Sequence, residues 1–156
     1  MRVYLIQHGE AKAKEADPER PLTDKGAADV RRVAAFVEPL HLRVRAIWQS
    51  GKTRARQTAE AFAAAMKAGE GVVRHDGMGP KDDVVPVADE IVRGGEDLVL
   101  VGHLPFLGKL AGRLLVGDES RQPVAFQYGG VVCLEQAGGG AWQVRWMLTP
   151  EALGGI

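Results

Sequence analysis

The chain has 156 residues, 46% apolar and 26% charged, a balance ordinary for a soluble globular protein and enough chain to bury about 70% of the surface exposed on unfolding. Lysine plus arginine equals aspartate plus glutamate at 20 each, so no global field favours nucleic acid or a membrane surface, and any anion must be met by a local cluster. A single cysteine excludes an internal disulfide framework, no apolar stretch approaches the roughly 18 residues of a membrane span, and no basic-then-apolar leader opens the chain, so a cytoplasmic protein with one domain over residues 1–156 is expected.

Val3-Tyr4-Leu5-Ile6 is an unbroken apolar run with β-branched and aromatic members, which predicts a strand buried on both faces. It stops at Gln7-His8, where Gly9 is expected to turn the backbone sharply. The charged stretch from Lys12 to Pro21 reads as a surface loop. Thr23 predicts a helix N-cap with Asp24 in the first turn, and Val30, Val33, Ala34 and Val37 mark one helical face that Pro39 closes. Val44 to Trp48 reads as a second strand. Ser50 is expected to cap a helix whose buried face carries Ala55, Ala59, Phe62 and Met66.

Residues 69–83 are rich in Gly and Asp, with Val72-Val73 hinting at a short strand, and Val84 to Val92 reads as a helix despite Pro86. Leu98-Val99-Leu100-Val101 is the clearest buried strand, and it too ends in a histidine, at Gly102-His103. Pro105 suits the first turn of a helix through Leu107, Leu110, Ala111, Leu114 and Leu115. After a polar loop at 117–123, strands at about 126–136 and 141–148 flank Ala137-Gly138-Gly139-Gly140, a predicted hairpin. Cys133 reads as a buried inert thiol, Trp142 and Trp146 as strand packing, and His41 and His75 as surface residues. Strands alternating with helices and ending in a hairpin predict a three-layer α/β/α sandwich, its sheet mainly parallel with an antiparallel edge.

Three polar stretches each follow a predicted strand: Gln7-His8-Gly9, the run from Ser50 to Thr58 with Arg54, and Gly102-His103-Leu104-Pro105. Parallel strands bring such ends to one rim of the sheet. Two histidines, an arginine in a first helical turn and that helix's free N–H groups would then share a pocket suited to a phosphoryl group. A neutral imidazole attacks phosphorus if the pocket stabilises the transferring oxygens, and nearby positive charge keeps that ring unprotonated. The second histidine, as imidazolium or as neutral donor, holds an equatorial oxygen.

In this order and spacing, His8-Gly9 after a first strand, Ser50…Arg54-Ala55…Gln57-Thr58 and a late Gly102-His103 resemble the histidine phosphatase superfamily. Arg20-Pro21-Leu22-Thr23…Gly26 and Gly102-His103-Leu104-Pro105, in a chain this short, resemble its SixA-type phosphohistidine phosphatases. The resemblance implies a phosphohistidine intermediate on His8, with Arg54 and His103 gripping the phosphate and no metal or organic cofactor. It implies as partner a phosphohistidine-bearing protein, such as a phosphotransfer domain of a signalling system; a monomer is expected.

The family motif begins Arg-His-Gly, whereas position 7 here is Gln. Gln7 donates through its amide but lacks the charge, a loss of about 1.5–3 kcal/mol of interaction, or ten- to a hundredfold in rate. Arg20 is expected to restore part of that charge. Gly9 and Glu10 complete the expected substrate-binding set, and Glu10, Asp82 and Asp83 are the candidates for a general acid, unless a phosphohistidine substrate needs none because its imidazole is protonated from solvent. With no inserted lid in the sequence, a shallow, open pocket is expected.

Two other superfamily outcomes remain open from sequence: a small-molecule phosphomonoesterase, or a binding module weakened in catalysis by Gln7. A nucleotide P-loop at Gly51-Lys52-Thr53 is disfavoured, since position 46 is Ala where that motif needs Gly. A zinc site is disfavoured because neither key histidine has a His or Cys at ligand spacing.

Overall fold

The computed structural model describes residues 1–138 and 140–154. Its strands are β1 (Arg2–Gln7), β2 (Arg43–Val44), β3 (Ile47–Gln49), β4 (Lys67–Ala68), β5 (Val72–Arg74), β6 (Leu98–Gly102), β7 (Val131–Gln136) and β8 (Trp142–Leu148). Its helices are α1 (Asp24–Val37), α2 (Thr53–Ala63), α3 (Val85–Gly94) and α4 (Phe106–Val116). The main sheet runs β5-β3-β6-β1-β7-β8, parallel through its first four strands and antiparallel at β7 and β8. This is the expected three-layer sandwich with an antiparallel edge.

The period-2 alternation of β1 assigns its side chains to two cores. Val3 and Leu5 pack with Leu98, Leu100 and Trp48 beneath α3 and α4, whose Ile91, Leu107 and Leu110 close that layer. Tyr4 and Ile6 point the other way, to Val99 and Val101 and to Val30, Val33 and Val37 of α1 and Ala55, Ala59 and Phe62 of α2. Each of β1's residues 3–6 is therefore buried whichever face it takes, which is why the run is apolar without a break.

Helix boundaries follow local chemistry. Thr23 accepts from the Gly26 amide at 2.9 Å and starts α1. Pro86 falls in the first turn of α3, where its missing N–H is no loss, so it helps that helix. Gly95 and Gly117, both at positive φ, end α3 and α4.

Several local expectations are corrected. The predicted strand Val44–Trp48 is two: Val44 pairs with Ala68 in a separate two-stranded sheet, and the chain then crosses at Arg45-Ala46 before Ile47 joins β5 and β6. The strand predicted from 126 begins only at Val131, because Gln127 to Gly130 form a turn. Helix α2 ends before Met66, which is buried beyond it. Trp142 and Trp146 lie on opposite cores, because a register shift after Cys133 pairs that residue with Trp146 but Leu134 with Val144. In the predicted hairpin turn Ala137 donates to the Ala141 carbonyl at 2.8 Å, and Gly139 lies outside the described residues.

The topology makes one crevice. The chain leaves β1 for α1 on one face of the sheet, while the adjacent, parallel β6 leads to α4 on the other. Loops after neighbouring strands that depart to opposite faces open a cleft at their carboxyl ends.

Candidate active site

His8 and His103 face each other across that cleft, their ring centroids 4.9 Å apart. The parallel ladder sets the spacing: Gln7 pairs with Gly102, and the His8 amide donates to the Gly102 carbonyl at 3.0 Å. Both rings are more than nine-tenths buried, as are Gln7 and Arg54. Four polar side chains are thus withdrawn from solvent at this rim, and the half-exposed ring of Tyr128 stands against His8 at 5.5 Å between centroids.

His8 Nδ1 lies 2.7 Å from the Gly9 carbonyl oxygen. A carbonyl only accepts, so Nδ1 carries the proton and Nε2 keeps its lone pair. Gly9 serves this geometry by allowing close approach, without a positive φ. A Cβ there would lie 2.8 Å from Val30 Cγ2 and 3.0 Å from the Gly26 carbonyl oxygen. Gly26 answers in kind, since a Cβ on it would strike the Glu10 backbone. Helix α1 thus presses directly on the loop that carries His8.

Arg54 is the second residue of α2, and its Nε has no hydrogen-bond partner among the described residues. Thr58, one turn later, donates from Oγ1 to the Arg54 carbonyl at 2.8 Å and accepts from the Gly9 amide at 3.0 Å, coupling helix and loop. Gln57 accepts from the Leu22 amide at 2.8 Å and holds the preceding loop. In that loop Arg20 adopts φ 48° and donates to the Lys12 carbonyl at 3.1 Å, with its charge near enough to act on both histidines and Arg54.

Ser50 does not cap α2. Its hydroxyl lies 2.6 Å from His103 Nε2, while Lys52 stands at the N-cap with no side-chain bond, which leaves the helix's first N–H groups uncapped. His103 Nδ1 and Gln7 Oε1 also lack partners among the described residues. Three unpaired buried polar atoms, from Gln7, Arg54 and His103, thus cluster around one cleft. Each would cost about 1–3 kcal/mol if left unmatched, which marks the cleft as built for a polar ligand.

Electrostatics agree with that. Burial, assisted by the Arg54 and Arg20 charges and partly opposed by the Gly9 hydrogen bond, lowers His8 to about 4. Burial, then His8, Arg54, Lys52 and Arg20, lowers His103 to about 3. Burial and Arg20 also weaken proton binding by Arg54. At neutral pH the cleft holds two neutral imidazoles beside guanidinium groups, so a ring nitrogen with a free lone pair and an excess of positive charge are found together.

The candidate acids part company. Glu10 Oε2 accepts from Thr23 Oγ1 at 2.9 Å and lines a hollow next to Gln7. Asp82 accepts from the Gly79 amide at 2.7 Å and lines a different hollow with Ser50 and Lys52. Asp83 accepts from the Val85 amide at 3.0 Å, at the start of α3. Elsewhere, His41 is exposed, while His75 is more engaged than expected, stacked 4.2 Å from Trp48 and 2.8 Å from Glu90. Burial pushes the Cys133 thiol up to about 11.

The sequence reading missed Tyr128 and the pairing of Ser50 with His103. Gly129-Gly130, directly before an apolar run, was the available signal for a turn. The Gly129 amide donates to the carbonyls of Gln7 at 2.9 Å and His8 at 3.3 Å, and so pins Tyr128 over the cleft. Nothing local to Ser50 marks a partner 53 positions away.

The model of the histidine phosphatase superfamily (branch 1) matches residues 3–78. An uncharacterized protein of Picosynechococcus sp. is 35% identical over 125 residues, 76% of this chain and 75% of that protein. Phosphohistidine phosphatase SixA of Escherichia coli K12 is 26% identical over 157 residues, covering 96% of this chain and 94% of its own. The solved structure of the protein histidine phosphatase SixA complexed with tungstate superposes with a TM-score of 0.84 at 23% identity, over 98% of this chain and 99% of that one, a likeness of fold.

Proposed function

Because the chain belongs to the histidine phosphatase superfamily and is of the SixA type, we propose that it hydrolyses phosphohistidine on a partner protein, passing the phosphoryl group through His8. The observation that carries this reading is the His8 ring, with Nδ1 tied to its own backbone and the Nε2 lone pair free in a positively charged cleft. Nε2 attacks phosphorus in line with the substrate's P–N bond. As the new N–P bond forms, the substrate imidazole leaves with the electron pair of the old one. Water then attacks phosphorus on His8, giving inorganic phosphate and the neutral ring.

Arg54 and the uncapped N–H groups of α2 receive the phosphoryl oxygens. If Ser50 donates to His103 Nε2, the proton of that neutral ring sits on Nδ1, the nitrogen without a partner, and His103 is a donor without being an imidazolium. Gln7 contributes an amide donor and Arg20 part of the charge that an arginine at position 7 would bring. A histidine side chain titrates near pH 6.5, so a leaving imidazole protonated from solvent departs neutral and needs no dedicated acid. An alkoxide needs that proton far more, which favours phosphohistidine over phosphate esters. The reaction uses no metal and no organic cofactor.

Radiolabelled phosphohistidine proteins should leave an acid-labile phosphoryl group on the wild-type chain and none on His8→Ala, whose turnover is expected to fall by about 10⁴-fold or more. Esters tested in parallel should react far more slowly. Rapid ester cleavage with phosphohistidine proteins untouched would make the chain a small-molecule phosphomonoesterase, and binding without a labelled intermediate would make it a binding module.

A further inference from the structure

A hollow of about 510 Å³ adjoins the cleft, between the end of β1, the start of α1, the Tyr128 turn and the segment at Pro150-Glu151. Its charge is opposite to that of the cleft. Of its three carboxylates, Asp29 is neutralised by Lys25 at 2.6 Å and Arg32 at 3.6 Å. Glu10 and Glu151 form no ion pair among the described residues. Each accepts from one neutral donor, Thr23 Oγ1 and Gln127 Nε2 respectively, both at 2.9 Å. The charges of Arg54 and Arg20, neither of which lines this hollow, act on both histidines, and that of Lys52 acts on His103.

Gln7 belongs to both places. It ends β1 beside His8, and it also lines the hollow, 94% buried, with a carboxamide oxygen that no described residue satisfies. A carboxamide offers a donor to a phosphoryl group and an acceptor to an N–H at the same time. Arginine at this position would offer donors only and would set a cation into the wall of an acidic hollow. The other wall is apolar but accessible, with Leu104 41% and Tyr128 51% exposed. A lining that combines two carboxylates free of ion pairs among the described residues with accessible aliphatic and aromatic side chains fits a long cationic side chain that buries its methylene stem and presents its N–H groups to the carboxylates.

We infer that this hollow receives a lysine or arginine of the substrate protein lying next to its phosphohistidine, so that the enzyme reads an anion and a cation side by side. This rests on the phosphohistidine reading above and adds the substrate's flanking charge. Two synthetic phosphohistidine peptides, alike except for lysine or alanine beside the phosphorylated residue, test it through the ratio of their kcat/KM values. At low ionic strength the wild-type ratio should favour lysine about fivefold, the size of a partly exposed charge pair, and should shrink as salt is raised. Glu151→Gln should bring the ratio toward one, and Glu151→Lys should turn the preference to a glutamate-flanked peptide. A wild-type ratio of one, with both peptides cleaved in a His8-dependent manner, overturns the inference and leaves the proposed function standing. If neither peptide is cleaved while phosphate esters are, the proposed function fails and the inference fails with it.

Discussion

The two histidines end neighbouring parallel strands, yet they are held in different ways. His8 is oriented by backbone: its Nδ1 meets the carbonyl of the next residue, and its amide continues the ladder to β6. His103 is oriented by a side chain, Ser50, that comes from the end of the adjacent strand β3. Their electrostatics differ for the same reason. The Gly9 carbonyl pulls His8 partly back up after burial has lowered it, whereas every neighbour acting on His103 pushes the same way as burial does. One ring has a set tautomer and a free lone pair. The other is a polar group whose proton position depends on a hydroxyl. That division suits a nucleophile facing a donor.

The comparison breaks most visibly if the roles are the same or reversed. His103→Ala should lower kcat by about 10²–10³-fold, the range for removing one preorganised donor to a developing charge, while a labelled phosphoryl group still appears on His8. Loss of the labelled intermediate in His103→Ala, with the variant folded by circular dichroism, would show that His103 takes part in the covalent step.

A smaller effect should appear in the pH dependence of stability. Unfolded histidine binds its proton near pH 6.5, and the folded rings do so only near about 4 and about 3. Between those values the unfolded chain holds more protons, so acid favours it. The stability associated with neutral rings is fully present above pH 6.5 and is lost as pH falls toward the folded values, by at most about 1.4 kcal/mol per pH unit for each ring. Denaturant titrations at pH 8, 6.5 and 5 should show this slope, and the pair His8→Asn with His103→Asn should flatten it. An equal slope in the doubly substituted protein would assign the acid sensitivity to other groups. Inorganic phosphate, the product of the proposed reaction, should as an anion beside both rings shift both titrations upward in NMR.

Backbone-determined parts of the site were legible from sequence, and side-chain partnerships were not. An apolar run ending in Gln7-His8 and another ending in Gly102-His103 are enough to place two histidines at one sheet rim, because parallel pairing follows from the alternation of strands and helices. Arg54 could be placed in a first helical turn by the spacing of Ala55, Ala59 and Phe62. Ser50 was misread because the rule for an N-cap is local, and its actual partner lies in another loop. Tyr128 was misread because an aromatic residue before a strand looks like strand until the turn at Gly129 is tied to the carbonyls of Gln7 and His8. The same limit split Val44–Trp48: five apolar-rich residues show a strand, but not the change of partner at Ala46.

The Ser50–His103 bond is the most direct way to sharpen the contrast between the two rings. Ser50→Ala removes one hydrogen bond to a ring already held by burial and by the Gly102 strand end. Such a bond is worth about 1 kcal/mol net, so kcat should fall about fivefold. A structural loss and a loss of donor orientation separate in the pH profile and in rescue. If Ser50 sets the proton on His103 Nδ1, Ser50→Thr should restore most of kcat, since it keeps the hydroxyl. In Ser50→Ala the ¹⁵N shifts of His103 should move toward a mixture of tautomers while those of His8 stay in place. Unchanged His103 shifts together with unchanged kcat would show that the ring needs no help from β3, and that the two histidines are held more alike than their contacts indicate.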